Sequence, residues 1–356
     1  MINVNQSLMN KTERMEIENI STVLRTVAPE LVKVLEDRFN ILKVVHFLQP
    51  IGRRNLSTKV NLTERIIRKE ANVLKEQGLL EFSLEGMSIT NEGLEAIELL
   101  TVFFNDLKGI KDIEEELAKK LNINKVIIAP TITEDPAIAL DEIGKKAASY
   151  LRKIIKDKSI IGLTGGSSVY SVVKAYRPDK HFKGHEVVVP ARGGIGSKSE
   201  IQANYLVEKL AGKLECEYKL LYTPDHLTED AIKSLRNEPS IHELMEYHEK
   251  LDVLVFGVGG ARIMAERRSL EEREIGYILG KGAVAEAFGY YFDKNGKIVH
   301  EISTIGISLD NVKKVENLIA VAAGEEKTEA IMAVCKLSNN MVLVTDESVA
   351  KRILRQ

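Results

Sequence analysis

Two rhythms divide the chain. Between residue 29 and about residue 122, apolar positions recur at threes and fours, the period of amphipathic helices. From Asn124 onward, short β-branched runs alternate with helical stretches. The runs cover residues 126–129, 159–163, 186–190, 218–222, 252–259 and 341–346. Such runs with helices between them predict a parallel, doubly wound α/β sheet. Residues 1–28 are polar and mixed and predict a mobile arm. The expected organisation is that arm, a helix-rich domain over 29–90, a helical linker over 91–122 and an α/β domain over 123–356.

The helical part has finer punctuation. Pro29 suits a first helical turn, and the pattern carries that helix to about Leu48, where Pro50 and Gly52 stop it. A short helix is expected over 53–60, then a turn at Asn61-Leu62. Thr63 caps a longer helix that runs to about Gln77 and ends at Gly78. In the longer helix Ile67, Ala71 and Leu74 fall on one stripe. Arg65, Arg68, Lys69 and Asn72 fall on another. Those residue types hold phosphates and read base edges, arginine at guanine and asparagine at adenine. A short helix, a turn and a long helix with this chemistry make a helix-turn-helix. Residues 79–83 and 87–90, with a turn at Glu85-Gly86, predict a small hairpin, a wing. The candidate DNA contacts are Arg53, Arg54, Thr63, Arg65, Arg68, Lys69 and Asn72. A solvated face on a protein-binding winged helix would carry similar charges.

Composition sharpens this picture. The 356 residues carry a net charge of −2, which excludes a globally basic, histone-like protein. Residues 31–80 nevertheless hold ten bases against five acids, a local excess of +5 of the kind that phosphate contact requires. The two cysteines, Cys216 and Cys335, lie far apart in no metal-ligand spacing, so neither a disulfide framework nor a structural zinc site is expected. No apolar run approaches the ~18–20 residues of a membrane helix, and the first residues lack an apolar signal core. A cytoplasmic protein with no membrane partner and no cofactor is expected.

From Asn91 to about Leu121 an apolar seam continues through Leu94, Ile97, Leu100, Phe104, Leu107, Ile110, Ile113, Leu117 and Leu121. It packs on its own domain or pairs with a second copy. The dimeric habit of helix-turn-helix proteins favours the second. Gly109 weakens the helix in its middle.

In the α/β part, Thr164-Gly165-Gly166-Ser167-Ser168 follows a predicted strand and precedes a predicted helix beginning at Val169. A strand, a glycine turn and a helix N-terminus aim several backbone N–H groups at one point, a phosphate cradle. It is neither a Walker A loop nor a dinucleotide fingerprint. A tight turn that binds nothing would read alike. Gly257-Val258-Gly259-Gly260 ends another strand in the same manner. Arg192 follows a strand and precedes Gly193-Gly194, Arg267 and Arg268 follow the second glycine loop, Glu286 sits in a mostly apolar stretch, and Lys327 follows the run AVAAGEE, at strand ends or loops. Open α/β sheets bind ligands at such ends. Several cations converging on a glycine loop suit a ligand with more than one phosphate, and a carboxylate suits sugar hydroxyls. His181 with His185, and Asp225 with His226, form no metal or acid/base pattern.

Taken together, several stretches resemble one family. They are PIGRRNLS and LTERIIRKE from Pro50 on, TGGSS, VPARGGIG, MAERR, AVAEAFGYYFD, AVAAGEEKTEAI and VLVTDESVAKRIL. From about residue 29 to the end, the chain resembles the central glycolytic genes regulators of Gram-positive bacteria, of the SorC type of sugar-responsive transcription regulators. The resemblance implies a DNA-binding repressor of glycolytic genes, a tetramer made of two dimers, with fructose 1,6-bisphosphate as inducer. It implies a Rossmann-like effector domain similar in fold to phosphosugar isomerases and deaminases, an analogy of fold and not of chemistry. The ligand positions it implies are Gly166, Ser167, Ser168, Val169, Arg192, Gln202, Arg267, Arg268, Glu286 and Lys327. The family loop often carries threonines where this chain has Ser167 and Ser168, which keep the hydroxyls and lose the methyls. The alternative is an isomerase or deaminase with an appended winged helix. That chemistry needs a positioned acid/base pair, and Glu286 has no plausible partner for it.

Overall fold

The computed structural model describes residues 23–24, 26–131, 135–178, 184–195, 198–223 and 227–356. Most of the arm expected over 1–28 lies outside them, as do His181, Asp225 and His226. The described residues fall into two compact units. The first holds the chain up to Ile113 and a short stretch ending at Ile138. The second holds residues 114–131 and 139–356.

The first unit starts with α1 (Pro29–Leu48), α2 (Arg53–Val60) and α3 (Glu64–Glu76). The antiparallel hairpin β1 (Leu80–Phe82) and β2 (Met87–Ile89) follows, then α4 (Asn91–Leu107). Its core is one cluster that includes Ile41, Leu42, Val45, Leu56, Ile67, Ala71, Leu74, Leu80 and Met87. The hairpin adds to this cluster through Leu80 and Met87, so the wing is packed on the helices it follows.

The seam expected as one helix from Asn91 is two, α4 and α5 (Ile110–Leu121). Gly109 takes φ +61 between them, a left-handed conformation that a helix cannot continue through. Part of the seam packs within its own unit. Phe104 stacks on Phe39 of α1 with ring centroids 5.1 Å apart, and Leu107 joins them. Leu99 and Val102 on α4 stay exposed, at 73% and 41%.

The second unit alternates strands and helices as β3 (Lys125–Ala129), α6 (Pro136–Ile154), β4 (Ile160–Leu163), α7 (Ser167–Ala175), β5 (Val187–Pro190), α8 (Ala203–Leu214) and β6 (Glu217–Tyr218). Then come α9 (Glu229–Arg236), α10 (Pro239–Glu249), β7 (Val253–Gly257), β8 (Gly259–Gly260), α11 (Ala261–Arg267) and α12 (Glu272–Gly280). The chain closes with β9 (Ala283–Ala287), β10 (Tyr290–Asp293), β11 (Ile298–Glu301), α13 (Leu309–Lys314), β12 (Asn317–Val321), α14 (Thr328–Cys335), β13 (Met341–Asp346) and α15 (Glu347–Arg355).

Seven strands form a parallel sheet in the order β3-β13-β12-β7-β4-β5-β6. After β4 the chain steps outward to β5 and β6. After β7 it leaves in the other direction, to β12 and β13. The reversal falls between β4 and β7, which pair directly, so their exits flank the switch point where such sheets bind ligands. Ile161, Leu163, Val253, Val255, Val169, Val172, Leu206 and Leu210 are among the residues that bury this sheet against α7 and α8.

Two strand expectations are corrected. The strand over 218–222 shrinks to Glu217–Tyr218, because Asn204 of α8 takes over the next backbone pair. Its Nδ2 donates to the Leu221 carbonyl and its Oδ1 accepts from the Leu221 N–H, both at 3.0 Å. The strand over 252–259 divides at Val258, and Gly259–Gly260 enters a second sheet. That sheet is antiparallel, in the order β11-β10-β9-β8, and lies in the chain between β7 and β12.

Candidate functional site

On α3, the Thr63 hydroxyl oxygen accepts from the Ile66 N–H at 3.3 Å, which caps the helix. Ile67, Ala71 and Leu74 are buried, and Arg65, Arg68, Lys69 and Asn72 are exposed together on the other face. Arg53 and Arg54 open α2, both exposed. Arg53 lies over the Phe82 ring of the wing at 5.7 Å, with Lys75 over the same ring at 5.0 Å. Arg54 pairs loosely with Glu64 at 3.7 Å. Lys69 is shared with Glu70 at 3.2 Å, and Glu70 also accepts from Arg38 at 2.7 Å. Burial pushes the Glu70 carboxyl up, but bonds from Arg38 and Lys69 leave it below the usual range. Arg65, Arg68, Lys69 and Asn72 thus form one exposed surface, built from a capped helix on a packed core.

In the second unit, α7 begins at Ser167, two residues earlier than its pattern predicts, with Gly166 at the cap. Gly166 takes φ +126, open only to glycine without strain. A Cβ on Gly165 would lie 2.7 Å from the Ile201 carbonyl oxygen, to which the Gly166 N–H donates at 2.8 Å. Gly166, Ser167, Ser168 and Val169 are therefore the cap and first turn of α7. Gly166 offers no capping side chain, and first-turn N–H groups have no partner within a helix.

Beside this loop, at the end of β5, Arg192 is 5% exposed and its Nη1 donates to Glu286 Oε1 at 3.0 Å. Arg268 Nη2 donates to the same oxygen at 2.7 Å, as does the Gly289 N–H at 2.7 Å. Arg268 also donates to the Tyr291 hydroxyl at 3.1 Å. Burial alone would raise the Glu286 carboxyl, but Arg268, Arg192 and the Gly289 N–H outweigh it and hold it below its usual range. The buried cluster sets two guanidiniums around one carboxylate oxygen. Glu286 was expected to meet sugar hydroxyls; one of its oxygens is instead the hub on which two arginines are set.

Gln202 is also engaged. Its Oε1 accepts from the Ile195 N–H at 2.9 Å, and its Nε2 donates to the Ile195 carbonyl at 2.7 Å. It clasps the loop that follows Arg192. Arg267 is exposed at the end of α11. Lys327 is half-buried past β12. Burial lowers the Lys327 ammonium, Glu326 and Asp346 raise it, and Arg267 lowers it further, which places these two cations within electrostatic reach. Asp346 holds the Gly324 N–H at 2.7 Å and caps α15 through Ser348 and Val349, fixing the turn that leads to Lys327.

Register explains the convergence. Leu163 of β4 stands opposite Pro190 of β5, and Gly259 of β8 stands opposite Glu286 of β9. Arg192 bridges Gly306, and the Ala191 carbonyl accepts from the Ile307 N–H at 2.8 Å. The four-stranded sheet is thereby tied to the exit of β5. Sequence reasoning missed that sheet, Tyr291, Asp346 and the buried His248, whose Nε2 lies 2.8 Å from the Pro190 carbonyl.

His185 forms a surface pair with Asp157 at 2.9 Å. Cys216 and Cys335 are free thiols, each pushed up to about 12, Cys216 by burial and then Glu186, Cys335 by burial. Among the described residues no helix is long and apolar enough to cross a membrane.

Comparisons with known proteins accord with this division. The sugar-binding domain family matches residues 105–355, and the CggR N-terminal DNA binding domain matches residues 34–104. The chain is 37% identical over 332 residues to the central glycolytic genes regulator of Bacillus subtilis, covering 93% of this chain and 97% of that protein. It is 35% identical to the protein of the same name from Priestia megaterium, covering 95% and 99%. A SorC family transcriptional regulator from Enterococcus faecalis, 33% identical, superposes with a TM-score of 0.63 over 68% of this chain and 99% of that one. The full-length sorbitol operon regulator of Klebsiella pneumoniae, 20% identical, shares the fold with a TM-score of 0.64 over 86% of this chain and 94% of that one.

Proposed function

Since the chain belongs to the SorC-type sugar-binding transcription regulators, in the branch of the central glycolytic genes regulators, we propose that it is a repressor released from its operator by a phosphorylated sugar, fructose 1,6-bisphosphate. It is a transcription regulator of glycolytic genes with a DNA-binding and a sugar-binding domain, as its relatives are, and not an isomerase or deaminase. It works in the cytoplasm on double-stranded DNA.

The observation that carries the effector reading is the pair of buried guanidiniums, Arg192 and Arg268, set on Glu286 beside the first turn of α7. A positive charge held out of water attracts an anion far more strongly than an exposed one. One phosphate would take N–H groups from Ser167, Ser168 and Val169, at the turn that Gly166 opens, with Arg192 and Arg268 beside it. Arg267 and Lys327 supply a second cationic pair for a second phosphate. Glu286 and Gln202 keep the arginines and the loop in place, and sugar hydroxyls would compete for their remaining hydrogen-bonding capacity.

The DNA contacts are Arg53, Arg54, Thr63, Arg65, Arg68, Lys69 and Asn72, with α3 in the major groove. Thr63 keeps its hydroxyl proton available to a phosphate while its oxygen caps the helix. Residues 29–90 are the DNA-reading domain, 91–122 the linker and 123–356 the effector domain. Leu99 and Val102 leave an apolar strip on α4 for a second copy, and dimers assemble to a tetramer on two half-sites. Ligand and operator favour different arrangements of that oligomer, so each weakens the other by the same factor.

Calorimetric titration with fructose 1,6-bisphosphate, fructose 6-phosphate, glucose 6-phosphate and dihydroxyacetone phosphate tests this. Saturable binding that favours the bisphosphate is expected. Binding of a monophosphate alone would replace the inducer. Sustained heat from turnover would turn the reading to an enzyme, and the absence of binding would remove the site.

A further inference from the structure

Strand β5 ends in a proline at an open edge. Val187 and Ala191 donate toward β4, to the carbonyls of Ser159 and Leu163 at 3.1 and 2.7 Å. By strand alternation, the carbonyls of Val188 and Pro190 face the other way, toward β6. Val188 is met there by the Lys219 N–H at 3.0 Å. Beyond that point β6 has stopped, at Tyr218. Pro190 suits the position because it has no N–H to leave unpaired, but its carbonyl still needs a donor.

His248 supplies it. This residue lies in the last turn of α10, is 2% exposed, and brings Nε2 to 2.8 Å from the Pro190 carbonyl. A carbonyl only accepts, so Nε2 carries the proton and donates. Burial holds the imidazole below its ordinary range while the Pro190 bond pulls it upward, and the ring stays neutral with that tautomer fixed. The backbone just ahead of Arg192 is thus pinned from three directions: Leu163 on β4, His248 on α10 and Ile307 ahead of α13. Arg192 is two residues past the His248 bond.

We infer that His248 is a positioning residue for Arg192, setting the backbone from which that guanidinium reaches the anion site. The inference rests on the reading of the Arg192 cluster as an anion site. His248 itself touches no ligand; it stands in for the strand that β6 fails to provide.

The test uses the full chain, with fructose 1,6-bisphosphate and inorganic phosphate as probes in calorimetry, and three variants. In His248→Gln the amide nitrogen falls near the place of Nε2. In His248→Asn it falls one methylene short, and His248→Leu has no donor. The Gln variant is expected to bind within about twofold of the unaltered protein, and the Asn and Leu variants about tenfold more weakly, the worth of one hydrogen bond. Operator affinity without probe stays unchanged in all three. Equal binding by all the proteins, or a Gln variant as weak as the Leu variant, would overturn the inference. If the Leu variant does not fold, the Gln and Asn pair decides alone. An unaltered protein that binds neither probe would instead overturn the anion-site reading on which the inference stands.

Discussion

On α3 the cations stand in water with few fixed partners, whereas Arg192 and Arg268 are almost wholly buried around one shared carboxylate. Both surfaces are suited to phosphate. The exposed set keeps its hydration and relies on number: each residue adds a little, and salt screens the sum. The buried set has lost its hydration and needs a fixed counter-charge to exist at all. Geometry in the buried set therefore belongs to Glu286 as much as to the arginines. On α3 it belongs to the helix, its cap and its core stripe.

The largest effect should come from removing the hub. Glu286→Ala leaves two buried guanidiniums facing each other and should cost about 3–5 kcal/mol of stability, read from urea unfolding. Acid sharpens the same point. The Glu286 carboxyl is held below its ordinary value of 4.5 in the folded protein. Its contribution is therefore complete above about pH 4.5 and falls away as pH drops through the lowered folded value. Glu286→Gln should flatten the loss of stability in that acid window; an unchanged slope would deny Glu286 its role.

Next in size, Arg192→Ala should remove most of the sugar response, roughly 2–3 kcal/mol of effector affinity, with operator affinity intact. If the sugar releases that variant from DNA at the same concentration as before, the site lies elsewhere. On the exposed surface effects should be smaller and of two kinds. Arg68→Ala should cost about 1–3 kcal/mol on the operator and relax its specificity. Lys69→Ala should weaken all DNA alike and lower the salt slope by about one unit in a filter-binding or anisotropy series. Unchanged operator binding in both would remove α3 as the reading helix.

The same contrast governs how much was legible in the sequence. The α3 face could be read because its causes are local. Thr63 caps it, Ile67, Ala71 and Leu74 repeat at helical spacing, and the cations fill the remaining face. Most of the parallel sheet was legible because fully buried strands are continuous β-branched runs, as at 253–257 and 341–346, but β12 was not among the expected runs. The antiparallel sheet hid behind an unusual turn. Phe288 and Gly289 both take positive φ between β9 and β10, where an Asn-Gly pair would announce a hairpin. Phe288 bears that conformation because its ring is buried against Phe256, 4.6 Å away. Without the hairpin, Glu286 reads as a lone carboxylate in an apolar stretch. His248 left no signal, since its partner is a backbone carbonyl 58 positions away.

The ends of β4, β5, β9 and β12 contribute Gly166, Arg192, Glu286 and Lys327, more than 150 positions from first to last. The DNA-reading helices are complete before residue 91, and most of their core lies there, with Ile138 added from beyond the linker. A message cut short after the linker would therefore yield a DNA reader without the sugar-binding domain. On the proposed reading, no concentration of sugar would release such a fragment from DNA. On that reading the order of parts along the polypeptide would sort its lesions: early ones would take the DNA reader, and late ones the sugar sensor alone.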